Sequence, residues 1–313
     1  MLNPRHKDER TEAMSQPTKY INSENPYSKM WDTFVYFESE ATTKSFLHKH
    51  YEMVCDDAKH RAYDNATKFI YFIKQAREYY NTAVKSHVLV KPLLLYYGMM
   101  SLLKAVVIKY DPFYPNNTGV LRHGMTTRKL KKTNYVFHED EVKIQKEGLL
   151  PHFASLIHSP VLRSQPKYRI QHLISLLPEI KDSYERLYEK KIILPVTVGQ
   201  HQPGFLKIVM SESVLDHFHF TLSGFLQFLN RGNDLQPFQA INETHSKTIE
   251  FSVSPDHMMK HPRFIQDYKG EQFFLTHSEE LLNIPESCIH YIIMYQLGML
   301  CRYETELWGE LIY

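Results

Sequence analysis

The sequence predicts a mainly α-helical protein with a small β-rich insertion, α+β overall, whose helical core is split along the chain. Three observations lead there. A continuous apolar run, Leu93 to Ile108, is long enough for a buried helix and is opened by Pro92, a residue suited to a first helical turn. Four short segments rich in β-branched and aromatic residues cluster between 191 and 276. After them, His290 to Tyr303 returns to the pattern of an apolar helix.

Taken in order, residues 1–28 are polar, carry Pro4, Pro17 and Pro26, and are expected to form a flexible arm. Residues 29–190 are expected to be an N-terminal helical region. Its first two or three helices are MWDTFVYF, the stretch from Thr42 to Val54 and the stretch from Phe69 to Ala83, where apolar residues recur at helical spacing. In the central helix Gly98, Ser101 and Ala105 would let another backbone approach closely. Tyr97, Ser101 and Lys104 share one face. A polar stripe on a buried helix needs partners, so Lys104 either reaches solvent along its stem or points into a site. DPFYPNNTG supplies turn chemistry that ends the helix.

The segment that follows, from Arg122 to Lys132, carries Arg122, Arg128, Lys129, Lys131 and Lys132 with no acid among them. Such a cluster attracts phosphates, with Arg forks as the specific donors. A solvated basic face of a helix, balanced by the acidic HEDE at 138–141, is the plainer alternative. Short helices are expected at Leu149–Ile157, Arg169–Leu177 and Glu179–Glu189. The β-rich insertion, 191–276, contains strand candidates at Ile192–Val198, Phe205–Met210, Thr248–Val253 and Glu271–Leu275. Leu215–Asn230 fits either a helix or an interrupted strand pair. Residues 277–313 are expected to supply C-terminal helices that complete the core, with Tyr291, Tyr295 and Arg302 on one face and Arg302 turned towards the interior.

Composition narrows the function. The chain has 313 residues, 43% hydrophobic and 13% aromatic, which suits an ordered core. Its net charge of +2 excludes a general polyanion binder, so any nucleic-acid surface must be local. Three widely spaced cysteines argue against disulfides or zinc ribbons and fit a reducing cytoplasm. The charged start MLNPRHKDERTEA has no apolar core, so no signal peptide is expected, and Lys104 interrupts the Leu93–Ile108 run, so no membrane span is expected either. Neither phosphate-cradling glycine loop occurs, nor a GxSxG elbow, nor HEXXH. Among the 18 histidines, His217 and His219 would share one side of a strand, and His257 and His261 one helix face. These are weak pairs, and no metal or cofactor is expected.

The stretches MWDTFVYFES, LLLYYGMMSLLKA, VLRHGMTTRK, EDEVKIQKEGL and HYIIMYQLGMLCRYETELW resemble the YaaC-like family of bacterial proteins over most of the chain from about Trp31. That family's genes commonly neighbour the gene for IMP dehydrogenase, which points to purine nucleotide metabolism. YYGMMSLLKAVV followed by LRHG is also similar to the core of HEPN-type helical domains, which implies an HEPN-like arrangement of the split helical core. HEPN nucleases carry an Arg four to six residues before a His. Here Arg122 and His123 are adjacent, so that constellation is not reproduced.

The resulting expectation is a cytoplasmic, non-enzymatic regulatory protein that binds a phosphate-bearing ligand such as a nucleotide, a protein partner such as IMP dehydrogenase, or both. Lys104, Arg122, His123, Arg128, Lys129 and Arg302 are the ligand-binding candidates. The alternatives are a metal-independent endoribonuclease of HEPN type acting on RNA through His123 and Arg122, and a structural interaction module that docks through the insertion.

Overall fold

A computed structural model of the chain describes residues 23–128, 135–157, 167–241 and 247–313. It is mainly helical with two antiparallel sheets. Helix α1, Pro26–Val35, starts inside the stretch expected to be a flexible arm. Local chemistry explains the early start. Pro26 stands in the first turn, where its missing N–H is no loss, and the Asn25 side chain accepts the Ser28 amide at 3.0 Å. Helix α2, Glu40–Tyr51, is capped in the same way by Ser39.

Helix α3, Ala58–Lys85, begins about three turns before the segment expected at Phe69–Ala83, and α4, Lys91–Tyr110, is the apolar central helix. They lie close together because Gly98 has no side chain. A Cβ there would stand 2.9 Å from the Tyr80 ring. The C-terminal end of α4 shows how a helix that stops at proline is repaired. Ile108 O would normally accept the amide of residue 112, but Pro112 has none. The fully buried Tyr51 hydroxyl donates to Ile108 O instead, at 2.6 Å. Buried Asn65 donates to Pro112 O at 2.9 Å and to the Tyr51 hydroxyl at 3.3 Å.

The N-terminal helical region also contains a small sheet of β1, Met125–Arg128, β2, Glu141–Ile144, and β3, Lys167–Arg169, in the order β1-β2-β3. The basic segment therefore runs from a bend at Arg122 into a strand at Met125 and not along a helix face. Met125 pairs with Ile144, and Val142 with Tyr168, and these side chains are buried against the helices. Helices α5, Leu149–Leu156, α6, Ile170–Ile174, and α7, Lys181–Tyr188, complete this part.

Strands β4, Ile193–Gln202, and β5, Phe205–Ser211, form a hairpin whose turn is Pro203-Gly204, with Gly204 at φ +84°. Leu215–Asn230 resolves as helices α8, Ser213–Phe218, and α9, Leu222–Leu229. His217 thus lies on a helix, and His219 caps it at φ 55°, so the two do not share a strand face. Then come β6, Gln239–Ala240, β7, Thr248–Val253, α10, Pro255–Lys260, β8, Phe264–Gln266, and β9, Gln272–Leu275. All six strands pair antiparallel in the order β6-β7-β5-β4-β9-β8. Helices α11, Glu279–Leu282, α12, Glu286–Tyr303, and α13, Thr305–Ile312, end the chain.

The side chains of β4 and β9 alternate between two cores, as strand geometry dictates. Ile193, Phe273 and Leu275 belong to the core shared with the helices, whereas Leu194, Val196 and Phe274 belong to a second core with Phe225, Phe251 and other residues of the insertion. Helix α4 is long and apolar enough to cross a membrane by length and composition. It packs instead between α3 and α12.

Candidate functional site

The contact of α4 with α12 is lined by tyrosines. Tyr96 of α4 meets Tyr291 of α12 with hydroxyls 3.4 Å apart and ring centroids at 5.6 Å, and it also packs against Tyr295 at 5.8 Å. Burial pushes the Tyr295 phenol up to about 12 and the Tyr291 phenol well above its ordinary value, so both keep their protons at neutral pH. The Tyr295 hydroxyl donates to Met125 O at 3.2 Å and lies 3.5 Å from His123 Nε2. The His123 ring stands edge-on to Tyr295 at 4.8 Å.

His123 is held by its backbone. Arg122 O accepts the Leu149 amide at 2.6 Å, His123 O accepts the Leu150 amide at 3.3 Å, and Gly124 O accepts the Gln145 amide at 2.8 Å. This clamp needs two glycines in contact. Gly148 has φ +136° and ψ 178°, and a Cβ on it would lie 2.2 Å from Gly124 Cα. Gly124 itself has φ +81°. Arg-His-Gly and Lys-Glu-Gly, two separate motifs in the sequence, are the two halves of this crossing. The His123 side chain remains exposed, and the burial of its inner edge against Tyr295 lowers its pKa, leaving the imidazole neutral at pH 7.

At the other end of the seam Tyr96 contacts Tyr97 at 5.5 Å. The Tyr97 ring stacks on Tyr79 at 5.7 Å, and its hydroxyl accepts Arg302 Nη1 at 3.3 Å. Arg302 also lies over the Tyr303 ring at 4.9 Å. Expected to face the interior, Arg302 is exposed, because it occupies the last turn of α12, where the helix runs out to solvent. A continuous chain of ring contacts, His123–Tyr295–Tyr96–Tyr97–Arg302, thus joins an exposed imidazole to an exposed guanidinium.

The remaining candidates fall elsewhere. Arg122 is exposed beside His123. Lys104 is half-buried over Phe72 of α3 at 5.4 Å, and desolvation lowers its pKa. The stripe to which it belongs faces α3, since Tyr97 stacks on Tyr79 and Ser101 Oγ donates to Gln75 Oε1 at 3.2 Å. Lys104 therefore does not join His123. Arg128 ends β1 opposite Glu141. Lys129, Lys131 and Lys132 lie outside the described residues. Among the described residues no group of three or more His, Cys, Asp or Glu is arranged to hold a metal ion.

Two polar arrangements are not apparent from the sequence. Asp140, fully buried, accepts Gln296 Nε2 at 2.6 Å and the Tyr135 hydroxyl, which ties β2 to α12 one residue from Tyr295. A lone Gln in the apolar run YIIMYQLGML was the available signal. His152 of α5 bonds Asp111 at 2.9 Å and stacks on Tyr114 at 5.8 Å. That bond lowers the Asp111 pKa against the opposing effect of burial, and it fastens α5 to the end of α4.

Comparison with curated proteins and with solved structures returned no match. The family model described as YaaC-like Protein matches residues 35–313, and the chain belongs to that family.

Proposed function

We propose that this is a cytoplasmic, non-enzymatic regulatory protein that binds a phosphate-bearing ligand through the exposed ends of the tyrosine seam. The observation that carries this reading is the chain of ring contacts between α4 and α12 that ends in exposed His123, with Arg122 beside it, on one side and in exposed Arg302 on the other. Exposed guanidinium groups supply forked donors for phosphate, and the exposed Tyr303 ring beside Arg302 offers a face to a base or another planar group. Purine nucleotides are the first ligands to test and IMP dehydrogenase the first protein partner, both resting on the family's gene neighbourhood. In equilibrium dialysis of the full chain with adenosine and guanosine mono- and triphosphates, wild type should retain at least one of them, and His123→Ala/Arg302→Ala should lose it. Unchanged retention in the double variant would reject the seam.

A second reading, an HEPN-like core acting as a ribonuclease, draws support from the lowered pKa of His123, which leaves a neutral imidazole able to accept a proton. Its weakness is that Arg122 is adjacent to His123 and not four to six residues before it. RNA cleavage that persists in His123→Ala at the wild-type rate would end that reading.

A further inference from the structure

An open cleft of 590 Å³ lies between α9, α10 and α11, lined by the apolar Phe228, Leu229 and Phe238 and by the basic Arg231, Lys260 and Arg263. Glu279 is the one carboxylate of the lining. The volume is typical of a small-molecule site.

Arg263 is the unusual member. Only 4% of its surface is exposed, yet it makes no ion pair among the described residues. Nη1 donates to Leu275 O at 3.0 Å and His277 O at 2.8 Å, and the guanidinium lies over the rings of Phe228 at 4.8 Å and Phe218 at 5.1 Å. Nε and Nη2 make no hydrogen bond among the described residues. A guanidinium carries five N–H donors, so three are left for the cleft that Arg263 lines. A buried charge with no counter-ion is costly, and an anion brought into the cleft would remove that cost. Glu279 favours the charged form of Arg263 through space but makes its ion pair, at 3.8 Å, with the exposed Arg231, which leaves the free side of the Arg263 fork open to a ligand. Lys260 is likewise paired, with Asp256 at 3.5 Å, so the excess positive charge is that of Arg263, whose fork matches two oxygens of a phosphate.

We propose that this cleft binds a small phosphate monoester with an apolar or aromatic body, its phosphate gripped by the free side of the Arg263 fork with Arg231 and Lys260 at the rim, and its body laid against Phe228 and Phe238. The site shares no residue with the tyrosine seam, so either can fail without the other.

The test is isothermal titration calorimetry on the full chain with phenyl phosphate, benzoate, inorganic phosphate and phenol. Phenyl phosphate should bind one per chain, at least tenfold more tightly than phenol and more tightly than benzoate. Arg231→Ala/Lys260→Ala changes only exposed rim residues and should weaken it threefold or more. Arg263→Lys keeps the charge, removes the fork and should weaken it at least tenfold. His123→Ala/Arg302→Ala should bind phenyl phosphate as wild type does. Phenol binding as tightly as phenyl phosphate, a rim variant equal to wild type, or no heat from any probe at millimolar concentration would overturn the site. Benzoate matching phenyl phosphate would overturn the phosphate class.

Discussion

Replacing Gly148 with alanine tests the crossing that positions His123, and two other glycines separate its causes. Gly199, in β4, has open space where a Cβ would stand and an ordinary φ. Gly199→Ala should leave stability unchanged or raise it by up to about 0.5 kcal/mol, since glycine is entropically unfavourable within a strand. Gly204 also has open space but sits at φ +84°, so Gly204→Ala isolates the backbone term, about 1–2 kcal/mol of destabilisation. Gly148 combines both problems. Its φ and ψ fall in a region essentially reserved for glycine, at a cost of about 1–3 kcal/mol for another residue. Its Cβ would also overlap Gly124 Cα at 2.2 Å, backbone that cannot swing aside as a side chain would. Overpacking of this kind adds about 1–3 kcal/mol. Gly148→Ala should therefore lose about 4 kcal/mol in urea unfolding followed by far-ultraviolet circular dichroism. An equal loss in Gly148→Ala and Gly204→Ala would refute the steric half of the reasoning and with it the close packing of the two motifs.

Tyr51→Phe removes the hydroxyl that replaces the missing amide of Pro112, leaving Ile108 O buried without its donor. It should cost about 1–3 kcal/mol in the same unfolding assay, whereas the exposed Tyr71→Phe should cost nothing measurable. Acid should destabilise the fold through His277. Burial, reinforced by repulsion from Arg263, lowers its pKa from 6.5 to about 4. Between those values the unfolded chain takes up a proton that the folded chain refuses, so this contribution is complete above pH 6.5 and is lost as pH falls towards 4. Its full size is roughly 3 kcal/mol. His277→Gln should flatten the pH dependence of the urea midpoint between pH 7.5 and 4.5, and a slope equal to that of wild type would remove His277 as its source. His261, also lowered to about 4, should leave a residual slope in that variant.

Much of the architecture was legible because it rests on local patterns. The apolar run from Leu93 to Ile108 announces α4, Gly98 announces the close approach of α3, and the four strand candidates of the insertion coincide with β4, β5, β7 and β9 to within a few residues. The small sheet was not legible. Its strands are three or four residues long, and Lys167–Arg169 carries two cations in three positions, so alternation has no room to register. Leu215–Asn230 was ambiguous because aromatic residues populate strands and buried helices alike. At the candidate site, Arg122 and His123 stood out by type and neighbourhood. The exposure of Arg302 and the attachment of Lys104 to Phe72 depend on where a helix ends and which neighbour it meets. Asp140 looked like part of a balancing acidic patch, and no local pattern singled out Arg263. Both matter because the fold buries them, and burial by distant segments leaves no local mark.

Strands β4 and β9 lie side by side, with Ile193 opposite Leu275. The chain thus leaves the helical part and re-enters it within one strand spacing, about 4.8 Å. Seen from the helices, everything between those two residues is the tip of a hairpin, and its length is invisible to the meeting of α4 and α12. Insertions and deletions beyond the base of this stalk can accumulate without altering the tyrosine seam. The base itself is different. Ile193, Phe273 and Leu275 form a party wall with the helices, so a cut at 191 and 276 would strip the helical core along with the insertion. A deletion that shortens the β4–β5 hairpin from its Gly204 tip leaves that wall standing.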